Sequence, residues 1–76
     1  MSDRIIPVSW KVFEKFLFSQ GCEFKRQKGD HLVYTKSGLL RPVIVPKVNP
    51  VPIFIIKNNL RTLGVSREVY LEWFSQ

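Results

Sequence analysis

The sequence predicts a small two-layer α+β sandwich with the order α-β-β-β-α-α, on three observations. An apolar helical period with serine before it and glycine after it lies near the N-terminus. Three short runs rich in β-branched and aromatic residues follow, joined by glycine turns. A proline-rich loop then leads to two further amphipathic periods. Seventy-six residues bury only about 60% of their unfolded surface on folding. One domain over 1–76 is therefore expected, with 1–8 as an N-terminal arm.

Ser9 is a good N-cap for a helix over about 10–20, in which Phe13, Phe16 and Leu17 share one face, and Gly21 sits at the position of a left-handed C-cap. Cys22–Gln27 alternates and reads as a first strand, and Lys28-Gly29-Asp30 supplies a turn. His31–Lys36 is the second strand, and Ser37-Gly38 a second turn. Leu39–Val45 reads as a third strand, with Pro42 inside it marking an edge or a bulge. Three prolines between Pro46 and Pro52 make a stiff, extended loop. Pro52 then suits the first turn of a helix over about 52–63. Ile53, Ile56, Leu60 and Leu63 form the apolar face of that helix, and Gly64 ends it. Ser66 caps a last helix over about 67–75 with Val69, Tyr70, Trp73 and Phe74 as its stripe. The helices should cover one face of the sheet and leave the other toward solvent.

Apolar residues make up 45% of the chain and charged residues 24%, the profile of a folded globule. A lone cysteine, Cys22, excludes an intramolecular disulfide and fits a reducing compartment. The longest apolar run, Ile53–Ile56, falls far below the roughly 18 residues of a membrane span. No charged-then-apolar leader opens the chain, so a soluble, cytoplasmic protein without a membrane partner is expected.

The net charge is +6 and the pI about 9.9, and the excess is central. Lys25, Arg26, Lys28, Lys36, Arg41, Lys47, Lys57 and Arg61 face only Asp30 between positions 25 and 61, so that stretch carries +7 while the ends carry −1. Such one-sided charge is the footprint of a phosphate-backbone binder; the alternative is a solvated surface that keeps a small protein in solution. The candidate RNA contacts are Arg26, Lys28, Lys36, Arg41, Lys47, Lys57 and Arg61.

His31 is the only histidine and opens a strand directly after the Lys28-Gly29-Asp30 turn. One His, one Cys and six scattered acids form no ligand set with zinc spacing, so no metal and no cofactor is expected. No G-x-S-x-G, P-loop or dinucleotide fingerprint occurs, and Cys22 reads as a small buried hydrophobe. RNA cleavage needs less equipment, because RNA carries its own nucleophile in the 2′-hydroxyl. A base for that proton, an acid for the leaving oxygen and cations for the developing charge suffice. An imidazole handles protons at neutral pH. Arg26 and Lys28 would stabilise charge, and Tyr34 or water would carry the second proton.

The runs Phe24-Lys25-Arg26-Gln27-Lys28-Gly29-Asp30-His31, Val43-Ile44-Val45-Pro46 and Leu60-Arg61-Thr62-Leu63-Gly64-Val65-Ser66-Arg67-Glu68 resemble the HicA (YcfA-like) toxin family, and the likeness extends from about Trp10 to Phe74. The resemblance implies a double-stranded-RNA-binding-domain-like fold. It also implies the activity of an mRNA interferase, a metal-independent endoribonuclease neutralised by a HicB antitoxin. The family's catalytic histidine, in a Gly-Ser-His motif, falls on His31, and Gly29 matches the motif glycine and joins the RNA-contact candidates. Asp30 stands where the family has serine. The loop after Pro46 also departs, reading Lys47-Val48-Asn49-Pro50-Val51-Pro52 where many members carry histidine. Asp30 and Tyr34 are thus candidate modulators of His31. A non-catalytic RNA-binding module, or an antitoxin-binding protein with a degenerate site, is the alternative reading.

Overall fold

Ser9 starts the first helix as expected: its hydroxyl accepts the Val12 amide at 3.2 Å, and α1 runs Trp10–Ser19. The computed structural model, which describes residues 4–75, continues with β1 (Glu23–Lys28), β2 (His31–Thr35), β3 (Val43–Pro46), α2 (Ile53–Leu63) and α3 (Arg67–Phe74). The three strands form one antiparallel sheet in the order β1-β2-β3. This is a small α+β sandwich of the double-stranded-RNA-binding-domain type. Residues 1–3 of the expected arm lie outside the described residues; beyond them Ile5 is buried, and the Val51 amide donates to the Val8 carbonyl at 2.6 Å. That bridge ties the arm to the proline-rich loop.

Gly64 closes α2 with φ 72°, a conformation that costs any residue with a Cβ about 1–2 kcal/mol. Its amide reaches the Arg61 carbonyl and the Val65 amide the Leu60 carbonyl, at 3.1 and 3.0 Å. Two carbonyls of the last helical turn, those of Leu60 and Arg61, are thereby satisfied. Pro52 sits one position earlier than expected, as the residue that precedes the helix. Ser66 caps α3 by accepting the Val69 amide.

The third strand is shorter than the sequence suggests. Proline lacks the amide that a ladder requires, and Pro42 therefore precedes β3 rather than interrupting it. The Leu39 amide closes a turn on the Lys36 carbonyl at 3.1 Å, and Leu40 is fully exposed. The apolar stripes are corrected at their ends too: Ile53, Val69 and Phe74 are exposed. Asn59, which shares the inward face of α2 with Ile56, Leu60 and Leu63, is buried instead. Its side-chain amide donates to the Ile44 carbonyl at 3.1 Å, so α2 satisfies a backbone group of the β3 edge.

The core lies between the helices and one face of the sheet. Phe13, Phe16 and Leu17 of α1 pack with Leu32 and Tyr34 of β2, Val43 and Val45 of β3, Ile56, Leu60 and Leu63 of α2, and Tyr70 of α3. Phe16 meets Tyr70 nearly perpendicularly at 4.7 Å and Trp73 at 5.4 Å between ring centroids, the edge-to-face geometry that aromatic pairs favour.

The phenols of Tyr34 and Tyr70 are both held well above the ordinary value. Burial dominates for each, and Tyr34 also donates to the Glu14 carboxylate at 2.5 Å. Unfolded tyrosine ionises near ~10, so above that pH the unfolded chain binds fewer protons than the folded one. Stability is then lost as pH rises, by up to about 1.4 kcal/mol per pH unit for each phenol. Absorbance at 295 nm should report both tyrosines ionising together with the loss of helical circular dichroism. Ionisation near pH ~10 with the helices intact would contradict this placement.

Candidate active site

Alternation along β2 sends Leu32 and Tyr34 into the core, and His31 and Val33 to the opposite face. The register then sets their neighbours: Lys28 pairs with His31 and Arg26 with Val33 on one side, Pro46 and Ile44 on the other. A bulge between Phe24 and Arg26 makes this possible. Phe24 faces the core side, with its ring 5.7 Å from Tyr34. The extra residue then turns Arg26 to the open face, where strict alternation would have turned it inward.

The Lys28–His31 hairpin has a two-residue loop. Gly29 takes φ 60°, and Asp30, like every described residue other than glycine, has no positive φ. Glycine first with a left-handed φ is the pattern of a type II′ turn. The Gln27 side chain braces the loop by donating to the Gly29 carbonyl at 2.9 Å, and the Lys47 amide donates to the Asp30 carbonyl at 2.7 Å. Nothing lies within 4 Å of a Cβ built on Gly29, so its requirement is the backbone conformation alone. Gly29→Ala is expected to lower stability by about 1–2 kcal/mol and to shift His31 relative to Lys28. Urea unfolding and an activity assay on the same preparation check both effects.

His31 is exposed and lines an open groove of about 460 Å³ together with Lys28, Gly29, Val33 and Ile44. The groove combines the apolar Val33 and Ile44 with the Lys28 ammonium and the His31 imidazole. Val33 and Ile44 had not been singled out in the sequence, although alternation marks the outer face for both: Val33 lies two residues after His31 in β2, and Ile44 between the inward Val43 and Val45 in β3.

Only some of the sequence candidates meet there. Arg26, Lys28 and Gly29 stand beside His31. Lys47 is at the same end of the sheet, its ammonium 5.5 Å from the Trp10 ring centre, with Lys11 5.7 Å from the same ring. Lys36 lies five residues along the chain from His31, about 16 Å away in extended chain, against Gly21. Arg41 lines a separate groove with Leu39, Leu40 and the C-terminal end of α2. Lys57 and Arg61 border another groove beside the arm and the start of α3, which among the described residues shares no lining residue with the His31 groove.

Tyr34 is withdrawn as a proton carrier for the site. It is fully buried on the core face, donates its proton to Glu14 and has a raised pKa. Burial also pushes the Cys22 thiol up, against a smaller opposing pull from Lys36, which makes it a poor nucleophile. Among the described residues no group of three or more His, Cys, Asp or Glu converges to hold a metal ion, and no helix is long and apolar enough to cross a membrane.

A small α+β domain with a histidine and cations on its open sheet face falls into the class of bacterial toxin–antitoxin toxins, for the family model of the HicA toxin of bacterial toxin–antitoxin systems matches residues 10–65. The match covers more than half of the chain, including the helix, the whole sheet and α2: the protein belongs to the HicA toxin family. No curated protein and no solved structure gives a match.

Proposed function

We propose that the protein is a toxin that cuts RNA without a metal ion, using His31 as its proton-transfer group, and that a HicB-like antitoxin neutralises it. The observation that carries this reading is the cross-strand pairing of the exposed His31 with Lys28. It sets an imidazole beside a fixed positive charge, on a face that a polyanion can reach.

In the proposed reaction the His31 imidazole accepts the 2′-hydroxyl proton and the 2′-oxygen attacks the adjacent phosphorus. Lys28 and Arg26 stabilise the charge that develops on the phosphoryl oxygens. The bond from phosphorus to the 5′-oxygen breaks, and water protonates that oxygen, since Tyr34 faces the core. The products are a 2′,3′-cyclic phosphate and a 5′-hydroxyl. Ile44, 45% exposed in this groove, would contact the ribose and base, which favours single-stranded or loop RNA, where bases are unpaired. Messenger RNA as substrate sets the site of action in the cytoplasm.

Cleavage of a short RNA and of the same RNA with a single 2′-deoxy substitution at the scissile position tests the reading. The proposal requires that the substituted strand survive and that the cut strand end in a cyclic phosphate. Cutting of the deoxy-substituted bond would overturn it.

A further inference from the structure

We propose that the outward face of α2, with the groove beside it, is a second and separate surface that docks an acidic, apolar-anchored segment of the antitoxin. This rests on membership of a toxin–antitoxin family and not on the cleavage chemistry of His31. Phe54, Lys57 and Arg61 follow the i, i+3, i+7 spacing of one helical face, and all three are exposed, Phe54 by 64%. Next to them lies a groove of about 410 Å³ lined by Lys57 and Arg61 together with the apolar Ile53 and Val65. Among the described residues no carboxylate lines it.

The combination selects the kind of partner. A duplex phosphate backbone needs cations but gains nothing from an apolar lining, and the RNA titration below separates an unpaired strand from a peptide. A peptide carrying carboxylates and one or two large apolar side chains uses both: the cations steer and orient it, and Phe54 and the groove supply a desolvated anchor. The same chemistry is unfavourable for a lone small anion, which leaves the apolar part of the surface in water. Because this groove and the His31 groove have no residue in common among the described residues, an antitoxin holding α2 leaves the sheet face to be covered by another of its segments.

The test uses the full chain carrying His31→Ala, so that toxicity does not interfere, and titrates it with the purified antitoxin and, separately, with a single-stranded RNA. Lys57→Gln/Arg61→Gln in that background should weaken antitoxin binding by about tenfold or more and flatten its salt dependence. Phe54→Ala should weaken it by a similar factor without changing the salt dependence. RNA affinity should change by less than about threefold. All three side chains are exposed, so melting curves should match the parent and exclude unfolding as the cause. Unchanged antitoxin affinity in both variants would overturn the proposal. A loss of RNA affinity with antitoxin affinity intact would also overturn it, assigning the groove to RNA. Should wild-type protein fail to cut RNA while the α2 variants still lose antitoxin, the cleavage reading falls and this one stands.

Discussion

Phe16→Ala should leave the domain largely unfolded at 25 °C. Phe16 is fully buried at the junction of α1 and α3, where its ring packs against Tyr70, Trp73 and Phe13. Truncating a buried phenylalanine costs about 3–5 kcal/mol, part of it lost burial and part the cavity left behind. A core in a domain of this size rarely supplies more than about 3–5 kcal/mol of net stability. The loss thus matches the whole margin, and α3, which buries only Tyr70, has little else to hold it. Phe18→Ala is the internal control. It stands on the same helix but 47% exposed, and should cost about 1 kcal/mol or less. Urea titrations followed by far-ultraviolet circular dichroism separate the two. A cooperative transition for Phe16→Ala close to that of the parent would contradict the packing described.

The second large effect falls on activity and should leave stability alone. A positioned general acid or base contributes about 10²–10⁴-fold to a rate. No second histidine exists in the chain to take over from His31. His31→Ala should therefore reduce RNA cleavage at least about a hundredfold. The side chain is exposed at the start of β2, so its removal should change folding stability by no more than about 0.5 kcal/mol. The combination is diagnostic: a structural histidine would lose stability and activity together.

The order of elements and most of their limits are readable because their signals are local. Ser9, Gly21, Gly64 and Ser66 punctuate the helices through their own backbone and cap chemistry, and the turn at Gly29 needs only two residues. What the sequence conceals depends on partners distant along the chain. Pro42 marks a break in the ladder but not on which side of it the strand lies; the turn that the Leu39 amide closes on the Lys36 carbonyl leaves only the side after it. Asn59 falls on the inward face of α2 by spacing alone, and only the nearby Ile44 carbonyl explains a buried amide there.

The basic stretch shows the same limit for the site. Its charges are contiguous in sequence, but the fold divides them. Arg26 and Lys28 go to the His31 face, Lys36 and Arg41 elsewhere, and Lys57 and Arg61 to α2. Alternation in β2 places His31 and Tyr34 on opposite faces, and that parity was available in the sequence. The bulge that brings Arg26 to the open face was not, because it depends on how β1 pairs with β2.

The central claim is that His31 performs metal-independent RNA cleavage, and one comparison tests it most directly. Wild type and His31→Ala, matched in circular dichroism and melting temperature, are incubated with a structured RNA in excess EDTA and the products resolved on a gel. The account predicts cutting by the wild type alone. Equal cutting by both proteins, or binding of RNA by both without any cutting, would contradict it.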